Sequence, residues 1–366
     1  MVRCMTTNGG SEPVIRRTPV FCGIVPPHIL DHLAQHEDQT LSDAALRTLQ
    51  HDSAARTRRR VTAVRTLTTA AAPAAAGSTP HRTIYDAGHR TDLPGTEVRQ
   101  EGSESGQDAT VNRAYAGLGA TFDLYLKAYQ RDSIDGSGLP LNASVHYDVN
   151  YDNAFWNGDQ MVFGDGDGEI FTDFTSSVDV IGHELTHGVT QYTANLEYYG
   201  QSGALNESVS DVFGSLIKQY SLGQSAGDAD WLIGEGLLAP GVHGVALRSM
   251  KAPGTAYDDT RLGKDPQPAT MQHYVKTSRD NGGVHINSGI PNHAFYLLAT
   301  ALGGNAWERA GQIWYDVLTG GELRSDATFA DFAKLTVAAA GARYQAGGEE
   351  SEAVLKAWAQ VGVQAA

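Results

Sequence analysis

From about residue 175 to the end, apolar positions recur at three- and four-residue intervals and predict helices over 176–192, 205–221, 289–302, 305–319, 327–341 and 350–362. Between Thr83 and about Gly168 the pattern differs. Short apolar runs such as Ala143–Tyr147 and Gln160–Phe163 are broken by Gly, Asp and Asn clusters and read as strands, with one helical stretch over Asn112–Tyr129. Ahead of both, Pro26-Pro27 opens residues 23–50, where Ile29, Leu30, Leu33, Leu41, Ala45, Leu46 and Leu49 keep helical spacing. The basic cluster Arg56, Arg58, Arg59 and Arg60 and then TLTTAAAPAAAGSTP at 66–80 follow; this low-complexity stretch has little to bury and reads as an exposed, cleavable linker. The pattern therefore divides the chain into a front segment with its linker (1–82), a β-rich half ending in a helix (83–190) and a helical half (191–366), with no internal repeat.

Composition narrows the class. At 366 residues the chain is too long for one core of ordinary size, and its 41% hydrophobic content contains no run near the 18 to 20 apolar residues that span a bilayer. No membrane partner is expected. The first residues, Met1–Pro19, carry Arg3, Arg16 and Arg17 but no apolar block of signal-peptide length, so a classical signal is not the expected export route. Both cysteines, Cys4 and Cys22, lie in the front segment, which excludes a disulfide scaffold for the body. The net charge of −15 divides into +4 over residues 1–82 and −19 over the rest. The acid excess disfavours nucleic acid as a partner, and the charge division reads either as a plain solubilising surface or as an electrostatic attraction between the front segment and the body.

Candidate chemistry sits in the helix at 176–192. His183-Glu184-Leu185-Thr186-His187 places two imidazoles one turn apart on one helix face, where both can reach a single ion. Catalytic zinc takes three protein ligands and keeps a fourth position open, so a third must come from elsewhere. The next predicted helix offers Glu207 within Asn206-Glu207-Ser208-Val209-Ser210-Asp211, and Asn206 and Asp211 are placed to orient the histidine rings. Zinc polarises a scissile carbonyl and makes water acidic enough to attack at neutral pH. Glu184, adjacent to a ligand, is the natural general base for that water and proton donor to the leaving amine.

The chain carries five motifs in one order: Tyr151-Asp152-Asn153-Ala154-Phe155-Trp156-Asn157-Gly158, Gly164-Asp165-Gly166-Asp167-Gly168, the two zinc helices, Leu247-Arg248-Ser249-Met250, and Asp280-Asn281-Gly282-Gly283-Val284-His285-Ile286-Asn287-Ser288-Gly289. Over nearly all of 83–366 it resembles the thermolysin-like zinc metallopeptidases. The short front segment with Pro26-Pro27 looks like that of the family's protealysin-like subgroup. The resemblance implies an α+β fold of two domains, a β-rich one and an α-helical one with the active-site cleft between them, behind a small helical propeptide. It implies a zinc endopeptidase made as a zymogen and inhibited by its own propeptide. Tyr198 and His285, the latter oriented by Asp280, are assigned to the oxyanion; Asn153, the Ala154 backbone and Arg248 to the substrate chain. Phe171, Phe174, Val180, Ile233 and Leu247 are expected to line an apolar pocket that selects a hydrophobic residue after the scissile bond, although plain core would explain them equally.

Several positions depart from the family pattern. Asp179, Asp230 and Glu235 match part of its structural calcium cluster, but Lys218 stands where a bridging glutamate is common, and Leu232, Leu238 and Val245 replace other ligands; one calcium ion or none is expected. Asp165-Gly166-Asp167-Gly168-Glu169 lacks the downstream glutamate of an EF-hand and reads as a structural turn. Cys22, just before Ile24-Val25-Pro26-Pro27, reads first as an inert buried thiol and alternatively as a thiolate reaching the open zinc position. The protein is expected to act as a monomer on peptides and proteins, extracellularly by resemblance, with the cytoplasm as the alternative. The competing function is a catalytically silent zinc- and peptide-binding relative, against which the presence of Glu184, Tyr198, Asp280 and His285 together argues.

Overall fold

A computed structural model describes residues 22–65 and 79–365, with side chains of 55–65 left out. Most of the 66–80 linker, the Arg56–Arg60 side chains and Cys4 lie outside the described residues. The front segment forms α1 (Pro27–Leu33) and α2 (Gln39–Arg65), with Pro27 at the first position of α1, where the missing N–H costs no hydrogen bond. Ile29, Leu30, Leu33, Leu41 and Ala45 are buried in the main core of the body, so this segment packs as part of the molecule.

The first half of the body is a five-stranded sheet backed by a helix. β1 (Arg82–Asp86), β2 (Thr96–Gln100), β3 (Leu141–Val145), β4 (Ala154–Trp156) and β5 (Met161–Phe163) lie in the order β2-β1-β3-β5-β4, with β1, β3 and β5 parallel and the outer strands antiparallel. α3 (Ala109–Tyr129) covers it, burying Ala114, Leu118, Phe122 and Tyr125 at helical intervals. Asp108 caps α3 by accepting the Thr110 and Val111 amides, which starts the helix three residues earlier than apolar spacing indicates.

The second half is helical. α4 (Val178–Tyr192) and α5 (Gly200–Leu222) run through the centre, followed by a two-residue ladder of β6 (Leu232–Ile233) with β7 (Arg248–Ser249), then α6 (Asp280–Asn287), α7 (Gly289–Leu302), α8 (Ala310–Thr319), α9 (Phe329–Ala340) and α10 (Glu349–Gln360). α4 and α5 touch backbone to backbone: a Cβ on Gly214 would stand 2.5 Å from the Asp179 carbonyl, and one on Gly182 would meet Ile217 at 2.6 Å. That approach brings side chains of α5 onto the face of α4 that carries the histidines. Among the described residues, no helix is long and apolar enough to cross a membrane.

Two expectations shift in detail. The helix over 305–319 begins at Ala310, and the one over 205–221 begins at Gly200. The Gly164–Gly168 stretch is a turn, with Asp167 Oδ1 accepting the amides of Glu169, Ile170 and Phe171 at 2.7–3.0 Å.

Candidate active site

Helix α4 projects His183 and His187 from one face, and their Nε2 atoms stand 3.0 Å apart. The tautomers follow from the partners of Nδ1. His183 Nδ1 lies 2.8 Å from Asp211 Oδ1, and His187 Nδ1 lies 2.8 Å from Asn206 Oδ1, whose amide nitrogen is committed to the Leu196 carbonyl. Each Nδ1 therefore carries the proton and donates, and the two Nε2 lone pairs face each other. Glu207 closes the set, with carboxylate oxygens 3.6 Å from His183 Nε2 and 3.5 Å from His187 Nε2, and its buried Oε2 has no hydrogen-bond partner. Two opposed lone pairs and an unsatisfied buried carboxylate oxygen repel one another unless a cation lies between them, so these residues fit a metal ion bound by two histidines and a glutamate.

The surroundings fix these donors. Asp211 is fully buried and holds a bidentate fork from Arg248, at 2.9 and 2.8 Å, besides the Asn292 amide at 2.8 Å. Burial works to raise the Asp211 pKa, but Arg248 and His183 hold it well below the usual carboxylate range. Burial lowers the His187 pKa to about 3, which keeps its ring neutral and able to ligate. Glu207 is also opposed by burial, yet His285, His187 and His183 bring it down to about 2, so it is a carboxylate.

Around this centre stand the other residues expected from the sequence. Glu184 Oε2 accepts the Trp156 amide at 3.1 Å, which ties the zinc helix to strand β4. His285 Nδ1 lies 2.6 Å from Asp280 Oδ1, and the second Asp280 oxygen accepts the His285 amide at 2.9 Å. This is possible because Asn281, Gly282 and Gly283 adopt positive φ of 48°, 86° and 79°, folding Asp280 back over the start of α6. Burial lowers the His285 pKa but Asp280 and Glu207 outweigh it and raise it, favouring an imidazolium. Tyr198 donates to Glu207 Oε1 and lies 3.2 Å from His285 Nε2.

The chain's own front segment occupies the groove beside this centre. Gly23 pairs antiparallel with Phe155 on the outer strand β4, and the Ile24 amide donates to the Ala154 carbonyl at 3.1 Å. The Val25 amide donates to Asn153 Oδ1 at 2.9 Å, and Arg248 Nη1 donates to the Ile24 carbonyl at 3.1 Å. The three residues assigned to the substrate chain thus hold residues 24 and 25. Cys22 is buried, but against the metal-ligand set: its thiol donates to Glu207 Oε1 at 3.0 Å and lies 3.3 Å from His285 Nε2, and its sulfur groups with His183, His187 and Glu207 within 4.8 Å. Burial, then Glu207 and Glu184, push the thiol pKa up, an effect that a bound divalent cation would oppose. The space left beside Cys22, Tyr198 and His285 is about 10 Å³, room for about one water molecule. A hollow of about 440 Å³ lined by Arg82, Asp123 and Tyr220 contains none of these residues.

Some contacts were not legible in the sequence. Asp52 of α2 accepts the Tyr151 hydroxyl at 2.6 Å and the Asn153 amide at 3.0 Å, and Thr48 Oγ1 accepts the Asp152 amide at 3.1 Å. Helical spacing places Thr48 and Asp52 on one face, but nothing local indicates what that face meets. Phe171, Phe174, Val180, Ile233 and Leu247 are buried in the same core cluster as Ile24 and Val25, as either core or a filled pocket requires. Asp179, Asp230 and Glu235 converge, but on the Lys218 ammonium, at 3.5, 2.6 and 2.9 Å.

A metal-binding triad beside a groove that already accepts an extended strand defines a class, the metal-dependent hydrolases that act on peptides. Two family profiles match the chain: the thermolysin metallopeptidase catalytic domain over residues 62–191 and the thermolysin metallopeptidase alpha-helical domain over 194–363. An extracellular metalloprotease of Pectobacterium carotovorum subsp. carotovorum is 50% identical over 353 residues, spanning 94% of this chain and 97% of that protein. Thermolysin of Alicyclobacillus acidocaldarius subsp. acidocaldarius is 40% identical over 288 residues, 76% of this chain and 50% of that protein. The solved precursor of protealysin, a metalloproteinase from Serratia proteamaculans, superimposes with a TM-score of 0.85 at 53% identity, covering 93% of this chain and 99% of that one. The chain belongs to the thermolysin family of metallopeptidases, in its protealysin-like branch, and is a metalloendopeptidase whose family metal is zinc.

Proposed function

We propose that this is the latent precursor of a zinc endopeptidase, held inactive by residues 22–33 lying in its own cleft. The observation that carries the reading is the seating of Ile24 and Val25 on Asn153, Ala154 and Arg248. A strand paired to the free edge of a sheet uses the hydrogen bonds a substrate would need, so the two compete for one place. The units of the chain are then a propeptide and linker over 1–82, a zinc-helix half over 83–190 and a helical half over 191–366, supported by the break between α4 and α5.

His183, His187 and Glu207 would hold the zinc. Zinc, when bound, polarises the scissile carbonyl and lowers the pKa of the attacking water. Glu184 takes the proton from that water and passes it to the leaving amine. Tyr198 and His285 donate to the oxygen that becomes negative, with Asp280 holding the imidazole protonated and oriented. Asn206 and Asp211 fix the ligand rings, and Arg248 serves both Asp211 and the substrate backbone. In the latent chain the Cys22 thiol lies beside His183, His187 and Glu207, where it would be available as a further donor to the metal. Phe171, Phe174, Val180, Ile233 and Leu247 form the wall that favours a hydrophobic residue after the cut. Lys218 takes the place of calcium, so no calcium ion is required at Asp179, Asp230 and Glu235. Action outside the cell is the reading supported by the relatives named as extracellular enzymes.

The test is hydrolysis of a general protein substrate by the processed enzyme. Activity should stop with a zinc chelator and return with added zinc, and Glu184→Gln should keep its zinc while losing about 100- to 10,000-fold in turnover. Substrate binding with no hydrolysis in the processed wild-type enzyme would instead support the silent relative.

A further inference from the structure

Away from the cleft, the loops at one end of the sheet bring together His89, His146 and Asp165. His89 follows β1 and His146 follows β3, and the His89 amide donates to the His146 carbonyl at 2.9 Å, so the residues are locked side by side. Both sit in the left-handed backbone region, at φ 57° and 53°, which non-glycine residues seldom adopt. Asp165, from the Gly164–Gly168 turn, completes the group. His146 Nδ1 is 2.9 and 3.0 Å from the two Asp165 oxygens, and His89 Nδ1 is 3.5 Å from Asp165 Oδ2. One ligand atom from each residue lies within 4.8 Å of the others.

We propose that His89, His146 and Asp165 form a second metal site, for zinc or a similar borderline divalent cation, separate from the catalytic centre. Three observations carry it. The donors are spaced 2.9–3.5 Å on Asp165, close to the 3.0–3.6 Å of the catalytic triad's donors. The His146 Nε2 atom lies 3.0 Å from Asp108 Oδ2, the arrangement in which a carboxylate accepts a hydrogen bond from the ring N–H and turns the opposite nitrogen toward a metal. His183 and Asp211 do the same with the ring nitrogens exchanged. Two imidazoles and one carboxylate suit zinc, cobalt, nickel or copper and are poor for calcium or magnesium, which take oxygen donors. The His89 side chain is 58% exposed, which leaves a path for the ion and an open position for water.

The competing occupant of this place is a proton. Without metal, the hydrogen bond to Asp165, partly opposed by burial, and then that to Asp108 raise the His146 pKa to about 9, giving an imidazolium clamped between two carboxylates. Metal binding sends the Nδ1 proton to solvent and replaces that clamp with coordinate bonds. The bound ion would tie the ends of β1 and β3 to the Gly164–Gly168 turn. That turn is itself held to the cleft edge, through Gly164 N to the Asn153 carbonyl at 3.0 Å and Asp167 N to Asp152 Oδ1 at 2.8 Å. The site is therefore structural, bracing the wall on which the substrate strand lies.

The experiment uses the full chain carrying Glu184→Ala, so that self-cleavage is absent. Zinc per chain is measured by elemental mass spectrometry after equilibrium dialysis over a series of free-zinc concentrations, beside His89→Ala, Asp165→Asn and Asp108→Asn in the same background. Two zinc ions per chain are expected, with the second lost in His89→Ala and Asp165→Asn, and its affinity lowered about 10- to 100-fold by Asp108→Asn. Circular dichroism identifies any variant that fails to fold, and His89→Ala, being exposed, serves as the decisive one. One zinc throughout the series in the parent, or a second zinc that His89→Ala retains, overturns the proposal and leaves the proton as the occupant.

Discussion

Replacing Lys218 by alanine isolates the clearest departure from the calcium pattern. The Lys218 side chain is 11% exposed and its ammonium neutralises Asp179, Asp230 and Glu235, whose side chains are 0%, 30% and 52% exposed. Burial disfavours the ammonium, but Asp179, Asp230 and Glu235 together raise its pKa above the ordinary value. Removing one partner of a fully buried ion pair costs about 3–5 kcal/mol. Here Asp230 and Glu235 can turn to water, and burial already raises the Asp179 pKa, so protonation offers a partial escape. The expected loss is about 2–4 kcal/mol, or about 3–5 °C in apparent Tm for a chain of this size. Three carboxylates without an ammonium then make a calcium site. With a Kd on the order of 0.1 mM, calcium at one hundred times that concentration restores about 2.7 kcal/mol. Scanning calorimetry of the Glu184→Ala chain, with and without Lys218→Ala, in calcium or in a calcium chelator, reads both effects. The parent should be indifferent to calcium and the variant rescued by it. A parent that loses several degrees in the chelator, or a variant that is neither destabilised nor rescued, refutes the assignment of Lys218 as the internal cation.

Three further outcomes follow from named contacts. Gly214→Ala places a Cβ 2.5 Å from the Asp179 carbonyl; it should cost about 1–3 kcal/mol by forcing α4 and α5 apart, and zinc titration of the folded variant should show weaker binding because Glu207 moves with α5. The Glu101 carboxylate is lowered to about 2, chiefly by its hydrogen bond from Arg82, so the pair stabilises fully above the unfolded value of 4.5 and its contribution is lost as pH falls through about 2. Glu101→Gln should then lower the urea-derived stability by about 1–2 kcal/mol at pH 7, allowing for partial exposure, with the difference reduced to under half at pH 3. Cys22→Ser should shorten the lag before activity appears in the full chain without changing the processed enzyme's turnover; an unchanged lag would confine the thiol to packing.

What the sequence made legible was local. The i, i+4 spacing of His183 and His187 needs only that α4 be a helix, and the apolar periods of 178–192, 289–302 and 349–360 are strong enough to place helices nearly to the residue. The assignments to Tyr198, Arg248 and His285 rested on resemblance, and the structure brings Tyr198 and His285 to Glu207 and Arg248 to Asp211 behind His183. What stayed hidden depends on long-range packing. Asp52 meets Tyr151 across 99 positions, and Asn292 reaches Asp211 across 81; a polar residue on a helix face gives no sign of its distant partner. The Cys22 sulfur falls beside Glu207 because the strand through Gly23 and Ile24 registers on β4, a register that no pattern in residues 22–27 specifies. His89 and His146 escaped notice for the same reason: their pairing is set by the parallel neighbours β1 and β3.

The central claim is that the chain is its own inhibitor. Purified full-length protein and its Glu184→Ala variant are incubated side by side, with intact mass and hydrolysis of a protein substrate followed together. Loss of a fragment of about eighty residues from the wild type as activity rises, with neither event in Glu184→Ala, is the expected result. Full activity from a wild-type chain whose mass has not changed would contradict the account, because residues 22–33 would then fill the cleft without blocking it.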